Sequence, residues 1–382
     1  MRKEIHRHST RTQTDATEIA GNFVHPEARR GRGARSNESG RYEAASKTAF
    51  DDGWGHIDDE PPPLRTTLIR DASRTIIATN TSPDVPFSQS INPYRGCEHG
   101  CIYCFARPTH AYLGFSPGLD FESKLLIKPD AASLLTQTLR HPRYRPQVIA
   151  MGTNTDIYQP ADRTLGIARQ ILDVLHAFRH PVSIVTKSAL ILRDIDILSD
   201  MAARNLVHVS ISVTSLDRHL ARRMEPRAAT PARRIDALRQ LHDAGIPTSV
   251  MVAPVIPAIN DTEIEAILTA ARDAGAQMAG YILLRLPLEI KTLFREWLEE
   301  EFPDRAAHCL NLLRDMRGGR DNDPEFHRRM RGTGPYADLI ASRFALAARK
   351  LGLKTGEGAF DLDLSQFRVP PQAGDQMELF SV

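Results

Sequence analysis

The sequence predicts an α/β fold built on a parallel sheet, and two patterns support this prediction. Short runs rich in β-branched residues recur along the middle of the chain, with amphipathic helical stretches between them. Residues 164–178, for example, place Leu165, Ala168, Leu172 and Leu175 on one side of a helix. Alternation at this spacing is typical of parallel strands joined by crossover helices. The pattern alone is compatible with a barrel or with an open doubly wound sheet.

Six strand–helix units are predicted between about residues 87 and 300. The strands are expected, in chain order, around residues 87–92 and at 147–152, 182–187, 207–214, 248–256 and 278–286. In either arrangement, ligands bind at the carboxyl ends of the strands.

The regions outside this core differ from it in composition. Residues 1–65 are rich in Arg, Asp, Glu, Gly, Ser and Pro, so they are predicted to form a largely disordered N-terminal arm. The globular core is expected over residues 66–300. Residues 301–368 are predicted to be a helical C-terminal extension that packs over the open edge of the core or forms a small cap. Residues 369–382 are predicted to be a flexible tail.

Composition indicates an ordinary soluble protein of the cytoplasm. The chain has 382 residues, of which 41% are hydrophobic and 25% charged, and its net charge is +2. No run of about 18 apolar residues is present, so no membrane-spanning helix and no membrane partner are expected. Arginines cluster in residues 29–35, 222–227 and 327–331. Such runs are more often solvated faces than nucleic-acid contacts.

Three of the four cysteines lie in residues 97–104, as Cys97, Cys101 and Cys104 in the spacing Cys-x3-Cys-x2-Cys. Thiolates are preferred ligands of iron–sulfur clusters. Three of them on one loop would bind three irons of a [4Fe–4S] cluster and leave the fourth iron open to a small molecule. A cluster that serves only electron transfer normally has four thiolates. The loop therefore indicates chemistry at the metal.

Other uses of these cysteines remain open at this point. His99 and His110 would be the candidates to complete a zinc site, although structural zinc sites typically use two closely spaced ligand pairs. A disulfide framework is disfavoured because three neighbouring cysteines cannot all pair. The remaining cysteine, Cys309, shares a helical face with Leu313 and Met316 and is predicted to be a buried core thiol.

The cysteine spacing resembles that of the radical S-adenosylmethionine (radical SAM) superfamily, in which an aromatic residue, here Tyr103, commonly precedes the third cysteine. In such enzymes the open iron chelates the amino and carboxylate groups of SAM. An electron from the cluster then cleaves the sulfonium and gives a 5′-deoxyadenosyl radical. The resemblance implies a partial (β/α)6 barrel of the TIM type, a [4Fe–4S] cluster and SAM as cofactors, and an electron donor such as flavodoxin or ferredoxin.

Within that superfamily, residues 92–110, 225–234 and 244–247 resemble the spore photoproduct lyase-like branch, which includes DNA-repair lyases. The CFARPTH run after the cysteine loop is similar to that of an uncharacterised bacterial family of this branch. One departure is that the lyase has a hydrogen-donating cysteine at the position of Thr153. A threonine O–H bond is too strong for that step, so this chain resembles a relative that has lost it.

The resemblance also implies a set of SAM-binding residues. Thr155 corresponds to the residue that binds the SAM amino group, and Lys187 to the one that binds its carboxylate. Ser210 or Ser212 would make a further contact, and Tyr103 belongs to the same set. Strand alternation independently places both serines on one polar face, which is expected to line the barrel interior.

The last residues of the chain suggest a partner. Gln376, Met377, Leu379 and Phe380 resemble the short motif by which bacterial DNA polymerases and repair proteins bind the sliding clamp. The alternative is a tail that folds back so that its apolar residues cover the protein's own core.

These features predict a radical SAM enzyme that acts on nucleic acid, in DNA repair or modification. The alternative within enzymes is radical modification of a protein or a small metabolite. From another class, the alternative is a non-catalytic Fe–S scaffold that binds DNA or the clamp. Polar residues at the strand ends, Lys187 among them, argue against a scaffold because a scaffold needs no SAM pocket.

Overall fold

The computed structural model describes residue 24 and residues 29–43, 64–356 and 361–372. The strands in these ranges are β1 (Thr67–Arg70), β2 (Ile77–Thr79), β3 (Gln89–Ile91), β4 (Tyr94–Arg95), β5 (Lys124–Ile127), β6 (Ile149–Met151), β7 (Val182–Thr186), β8 (Val207–Ser212), β9 (Thr248–Val255) and β10 (Met278–Leu283).

The helices connect the strands and cover the sheet. In the described ranges they are α1 (Leu119–Ser123), α2 (Ala131–Leu139), α3 (Asp162–Leu165), α4 (Ile167–Ala177), α5 (Ile195–Ala202), α6 (Arg218–Met224), α7 (Pro231–Asp243), α8 (Ile264–Asp273), α9 (Ile290–Glu301), α10 (Pro303–Asp315) and α11 (Pro335–Lys350). Short 3₁₀ segments at Arg107–Leu113, Ala189–Asp194 and Asp261–Glu263 complete the connections.

The main sheet has the order β10-β9-β8-β7-β6-β3-β2. The strands β3, β6, β7, β8, β9 and β10 are parallel, and β2 pairs antiparallel with β3. Every residue of β8 is buried, as expected for a central parallel strand that is covered on both faces. Six parallel strands with crossover helices confirm the predicted partial (β/α)6 barrel.

A small second sheet leads into the cysteine loop. It has the order β1-β5-β4, with β1 parallel and β4 antiparallel to β5. Because β4 ends at Arg95, two residues before Cys97, this sheet fixes the start of the loop. Pro93 strengthens the junction, since its carbonyl oxygen accepts the Lys128 N–H at 3.0 Å.

Residues 317–333, between α10 and α11, connect the two ends of the open sheet. The Leu283 N–H, at the end of β10, donates to the carbonyl oxygen of Met330 at 2.9 Å. At the other end, Arg329 binds Asp84, which precedes β3, and donates to Ser82 Oγ at 2.5 Å. This segment therefore spans the gap that a closed barrel would fill with further strands.

Within the N-terminal arm, which is predicted to be largely disordered, residues 29–43 are ordered and packed against the core. Arg29, Arg32 and Ser36 are no more than 7% exposed, and Ala34 is fully buried. The low apolar content was misleading because this segment is held by backbone hydrogen bonds and ion pairs. The run at residues 29–35 is accordingly not a solvated face.

Two other predictions can be compared with the structure directly. Cys309 is fully buried in α10, which confirms it as a core thiol. In the part of the chain that the structure describes, no helix combines the length and the apolar character needed to cross a membrane.

Buried histidines predict that the fold weakens as pH falls. Burial lowers the pKa of His180 to about 4, of His110 to about 4 and of His208 to about 3. A histidine titrates near 6.5 in an unfolded chain. The unfolded state therefore takes up protons first, and stability that is present above pH 6.5 is lost as pH falls towards 4.

His180 offers the clearest test of this pH dependence, because its Nε2 lies 2.7 Å from the Tyr144 hydroxyl and its Nδ1 3.0 Å from the Pro181 carbonyl oxygen. We expect each such histidine to contribute up to about 1.4 kcal/mol of unfolding free energy per pH unit in this window. Urea unfolding of His180→Gln between pH 7 and 5 should show a shallower pH slope than the unaltered protein. His219→Gln, at an exposed position, is the matched control, and equal slopes for all three proteins would contradict the prediction.

Candidate functional site

The cysteine loop lies at the carboxyl edge of the parallel strands, directly after β3 and β4. Cys97 and Cys101 are buried at 7% and 8% exposure, and Cys104 is half-buried. The loop is fixed by its backbone: the Cys97 N–H donates to the Phe121 carbonyl oxygen at 2.9 Å, and the Ile102 N–H to that of Met224 at 3.0 Å. The three thiols are thus presented by a rigid, mostly buried segment.

Burial is the main influence on these thiols. It raises the pKa of Cys97 well above its usual value, with Asp156 as the next contributor. It also raises the pKa of Cys101 to about 12, where Glu225 adds to the effect and Lys187 opposes it. At neutral pH these thiols are therefore protonated when no metal is bound. A bound metal would deprotonate each thiol that coordinates it.

A buried ion pair lies against the loop on the side of β8. Glu225 and Arg234, which are 2% and 1% exposed, form a direct salt bridge. Tyr103 donates its hydroxyl proton to Glu225, and Thr214 donates to the same carboxylate at 2.6 Å. Burial alone would raise the pKa of Glu225, but Arg234 and Lys187 lower it to about 2. The carboxylate is therefore charged and bound on several sides.

Lys187 follows β7, and its ammonium group approaches the cysteine loop. Its Nζ lies 5.8 Å from the centre of the Tyr103 ring. The backbone N–H of Lys187 donates to Asp156 Oδ2 at 2.7 Å, and Thr186 binds the same carboxylate through its hydroxyl. Within the described part of the chain, the ammonium forms no salt bridge. Lys187 therefore supplies a fixed positive charge that has no acidic partner of its own.

The predicted hydroxyl residues line the same edge and already have protein partners. Thr155 is buried and donates to the Tyr94 carbonyl oxygen at 2.7 Å. Ser210 Oγ lies 2.6 Å from Ser249 Oγ. Ser212 donates to the Ala253 carbonyl oxygen at 3.2 Å. Each hydroxyl that donates its proton keeps lone pairs that can accept one. Thr153, the position of the lyase cysteine, is half-buried.

An N-terminal strap, residues 29–43, covers the cysteine loop from the opposite side. Its central contact is the carboxylate of the fully buried Glu122, which accepts the N–H groups of Gly33 and Ala34 at 2.8 Å each. The same carboxylate forms a buried ion pair with Arg107, whose Nε donates to the Cys101 carbonyl oxygen at 2.9 Å. One carboxylate thereby connects the strap to the backbone of the second cysteine.

The strap is fixed at its far side to α9. Arg29 and Arg35 form salt bridges with Glu300 at 3.2 and 3.0 Å, and Ser36 donates to Glu296 at 2.7 Å. The helix α9, which follows β10, is thus connected through the strap to the cysteine loop, which follows β3 and β4.

Gly33 allows the strap to approach the loop closely. A Cβ at this position would lie 1.8 Å from the carbonyl oxygen of Gly100, a distance that no side chain can occupy. Gly100 itself has φ +67°, in the left-handed region, and faces Glu122. Glycine is therefore required on both sides of this contact.

The structure also shows what the sequence prediction missed. The residues that support the predicted set are Asp156, Glu225, Arg234, Glu122 and Arg107. Glu225 and Arg234 lie in a segment that drew attention only through its family resemblance. The sequence feature that could have indicated these supporting residues is the recurrence of charged residues beside the predicted cluster loop and strand ends. Their pairing is a long-range contact that local patterns do not contain.

The structure also shows the surroundings of the two histidines that were considered as zinc ligands. His99 Nδ1 lies 3.4 Å from Asp156, and His110 Nε2 lies 2.9 Å from the Lys124 carbonyl oxygen. Across residues 29–43, 64–356 and 361–372, no three His, Cys, Asp or Glu side chains form a group that could hold a metal ion. A single ion would need such a group, whereas the thiolates of a cubane bind different irons. The tail residues of the clamp motif lie outside the described residues.

The comparisons with known proteins agree with this site. The family model described as the radical SAM superfamily matches residues 91–271. An uncharacterised protein of Mycobacterium tuberculosis is 36% identical over 232 residues, which are 60% of this chain and 68% of the relative. The chain belongs to the radical SAM superfamily. An uncharacterised protein of Methanocaldococcus jannaschii is 27% identical over 214 residues, or 56% of this chain and 76% of the relative.

Among solved structures, this radical SAM protein is similar to spore photoproduct lyase in complex with a dinucleoside spore photoproduct. The TM-score is 0.53 and the identity 16%, with 75% of this chain and 80% of the lyase covered. A lyase variant with bound AdoMet and the same lesion gives a TM-score of 0.53 at 15% identity. The protein is a radical SAM enzyme whose fold is similar to that of spore photoproduct lyase, and its cofactors are a [4Fe–4S] cluster and SAM.

The strap predicts that Glu122 is needed for stability around the cluster. Glu122→Gln replaces a buried carboxylate and leaves Arg107 as an unpaired buried charge, which typically costs about 3–5 kcal/mol. We expect a lowered melting temperature and fewer irons retained per chain after anaerobic reconstitution.

Glu265→Gln is the matched control for Glu122→Gln. Glu265 pairs with Arg343 at 2.6 Å on the surface, where loss of a pair costs about 0–1 kcal/mol. Gly33→Ala should reproduce the iron loss by displacing the strap from Gly100. Normal iron retention in both strap variants would show that the strap does not support the cluster loop.

Proposed function

We propose that this enzyme binds its [4Fe–4S] cluster through Cys97, Cys101 and Cys104, cleaves SAM reductively at that cluster, and acts on nucleic acid in DNA repair or modification. The observation that carries the proposal is one arrangement: three thiols on a fixed, largely buried loop, with the ammonium group of Lys187 directed towards them. Such a loop provides three ligands for a four-iron cluster, so one iron is left for SAM.

Lys187 is the proposed partner of the SAM carboxylate. An ammonium group is a compact charge that suits a carboxylate, and its backbone is fixed here by Asp156. The absence of a salt bridge to Lys187 within the described residues means that no internal ion pair must be broken when SAM binds. This makes Lys187 suitable as a binding group and a poor candidate for a merely structural one.

Hydroxyl groups at the same edge are proposed to complete the SAM site. Thr155 donates its own proton to Tyr94, so its oxygen is left to accept a hydrogen bond from the SAM amino group. Ser210 or Ser212, both in β8, would hydrogen-bond to the ribose or the carboxylate of SAM. Tyr103 acts differently: its hydroxyl is bound to Glu225, and its ring forms the wall beside Lys187.

When bound, the cluster and SAM supply a carbon radical by one-electron cleavage of the sulfonium, and that radical abstracts a hydrogen atom from the substrate. The chain's own residues hold the reacting groups and exclude water. Glu225 and Arg234 neutralise each other in the buried wall, so Lys187 remains the charge available to a ligand. An electron donor such as flavodoxin or ferredoxin would supply the reductant.

Tyr103, Tyr158 and Tyr281 are the candidates to return a hydrogen atom in place of the lyase cysteine, and Tyr103 is the one beside Lys187. Tyr158 is fully buried under the guanidinium of Arg193, whose centre is 5.8 Å from the ring. Tyr281 lies under Arg331 at 4.3 Å, near the end of β10. Since Tyr103 already donates to Glu225, a hydrogen-return step through it would require that bond to break.

Nucleic acid is the proposed substrate class because the fold resembles a lyase whose structure contains a dinucleoside photoproduct. This structural similarity alone does not identify the substrate of the present enzyme. It is supported by an exposed aromatic residue, Phe105, directly after the third cysteine, since bases stack on aromatic rings. Recruitment to a sliding clamp through the tail stays a prediction from the sequence.

The SAM-cleaving step is tested with anaerobically reconstituted protein, dithionite and SAM, by measuring 5′-deoxyadenosine. Lys187→Gln should lower kcat/KM for SAM about 10- to 100-fold, because it removes a charge-assisted hydrogen bond. Lys350→Gln, on the exposed end of α11, is the matched control. Absence of 5′-deoxyadenosine from protein with an intact cluster would refute the proposal.

The substrate class is tested in the same assay by adding DNA. Ultraviolet-irradiated or alkylated DNA should increase 5′-deoxyadenosine formation over undamaged DNA and should itself be altered. A stimulation by peptides or small metabolites, with none by any nucleic acid, would assign the enzyme to the alternative substrate class.

A further inference from the structure

A cluster of arginines lies at the carboxyl end of β10, beside the cysteine loop. Arg285 follows β10 directly, and the centre of its guanidinium lies 5.8 Å from the ring centre of Phe105. Phe105 is 46% exposed although it adjoins Cys104. The arginine and the aromatic ring therefore stand together at the edge of the candidate site.

Two of these arginines are desolvated without an acidic partner. Arg317 is 2% exposed and donates only to carbonyl oxygens, those of Arg328 at 3.0 Å and Leu284 at 2.8 Å. Burial, and then the charge of Arg285, lower the pKa of Arg317 to about 10. Burial, and then Arg329, lower the pKa of Arg285. The fold thus holds the positive charges of Arg285 and Arg317 close together. The free-energy cost of this repulsion and desolvation would be reduced by a bound anion.

Asp323 raises the pKa of Arg317 and Asp84 that of Arg285, so nearby acids offset this repulsion in part, although each acid is also bound by another arginine. Asp84 is bound by Arg329, and Asp323 interacts with Arg328 at 3.4 Å. The buried Nε of Arg285 has no hydrogen-bond acceptor among the residues that the structure describes. A buried donor of this kind calls for an acceptor, such as a water molecule or a bound anion.

Residues 317–333 bridge the gap between β10 and the segment before β3, so the arginines of this segment lie near the carboxyl end of β10. Arg331 is exposed, packs on Tyr281 at 4.3 Å and forms no salt bridge within the described ranges. In those ranges Arg285 and Arg331 therefore provide positive charge without salt-bridge partners near the end of this strand.

We propose that Arg285 and Arg331 bind phosphodiesters of a single-stranded or extruded stretch of nucleic acid, whose base stacks on the exposed ring of Phe105, and that the buried Arg317 adds positive charge behind Arg285. This rests on the proposed function and adds the substrate-binding residues to it. Arginine recognises phosphate through its planar fork of donors. An aromatic platform beside basic residues is how sequence-tolerant proteins hold unpaired strands. The run at residues 327–331, for which the sequence favours a solvated surface, is thereby assigned to the rim of this site.

The test is the affinity of the anaerobic, cluster-containing protein for a fluorescent single-stranded oligonucleotide, followed by anisotropy at several salt concentrations. Arg285→Gln should weaken binding on the order of tenfold and reduce the slope of log affinity against log salt by about 0.7. Arg285→Lys should recover part of the affinity. Arg239→Gln, which removes an exposed charge from α7, is the matched control.

Comparable losses in Arg285→Gln and Arg239→Gln would overturn the site, because they would indicate a general charge effect. Displacement of the oligonucleotide by inorganic phosphate at equal phosphate concentration would overturn its assignment to nucleic acid and indicate a small anion. Phe105→Leu should weaken binding of the oligonucleotide more than binding of polyphosphate, which has no bases. Equal effects on both would refute the stacking role.

These outcomes are separable from the proposed function. If the protein binds no nucleic acid even at low salt, the substrate class itself fails and this site fails with it. If nucleic acid binds but Arg285→Gln is neutral, only the site fails. Cleavage of SAM is measured independently as 5′-deoxyadenosine, and cluster absorbance verifies that each variant is intact.

Discussion

The structure depends on keeping three thiols fixed in a largely buried loop. Two buried ion pairs, one on either side, meet this constraint. Arg107 and Glu122 attach the loop to the N-terminal strap, while Glu225 and Arg234 support it from the side of β8 and fix Tyr103. Breaking a buried pair leaves an uncompensated charge, so each pair resists local rearrangement. The loop is consequently rigid before any cofactor is considered.

This rigidity links the fold to the chemistry. Parallel strands bring their carboxyl ends to one edge, where the cysteine loop, Lys187 and the hydroxyls of β8 meet. The internal acids near the loop are occupied by internal partners, whereas Lys187, Arg285 and Arg331 form no salt bridge in the part of the chain that the structure describes. The groups without salt-bridge partners are therefore positively charged. They lie where the SAM carboxylate and, by our inference, phosphates would bind. The strap closes the opposite side and excludes water from the loop.

Much of this could be predicted from the sequence, and the exceptions have physical causes. The strands were predictable because β-branched runs report burial directly, and the cysteine loop because its spacing is local. Lys187 and Thr155 came from family resemblance, since a polar residue at a strand end has no local signature. The order of the strap could not be predicted because composition measures apolar burial, whereas the Glu122 carboxylate holds Gly33 and Ala34 through their backbone N–H groups. Pairs such as Glu225 and Arg234 depend on tertiary geometry, which periodicity does not encode.

The central claim is that the protein leaves one iron of the cluster without a protein ligand and that SAM occupies it. Electron paramagnetic resonance of the dithionite-reduced protein, with and without SAM labelled with ¹⁷O or ¹⁵N in its carboxylate and amino groups, tests this most directly. The account predicts that SAM shifts the cluster signal and that the label produces hyperfine coupling. It also predicts that Cys309→Ala leaves the spectrum unchanged. A spectrum unaffected by SAM, or a cluster shown to have four side-chain ligands, would contradict it.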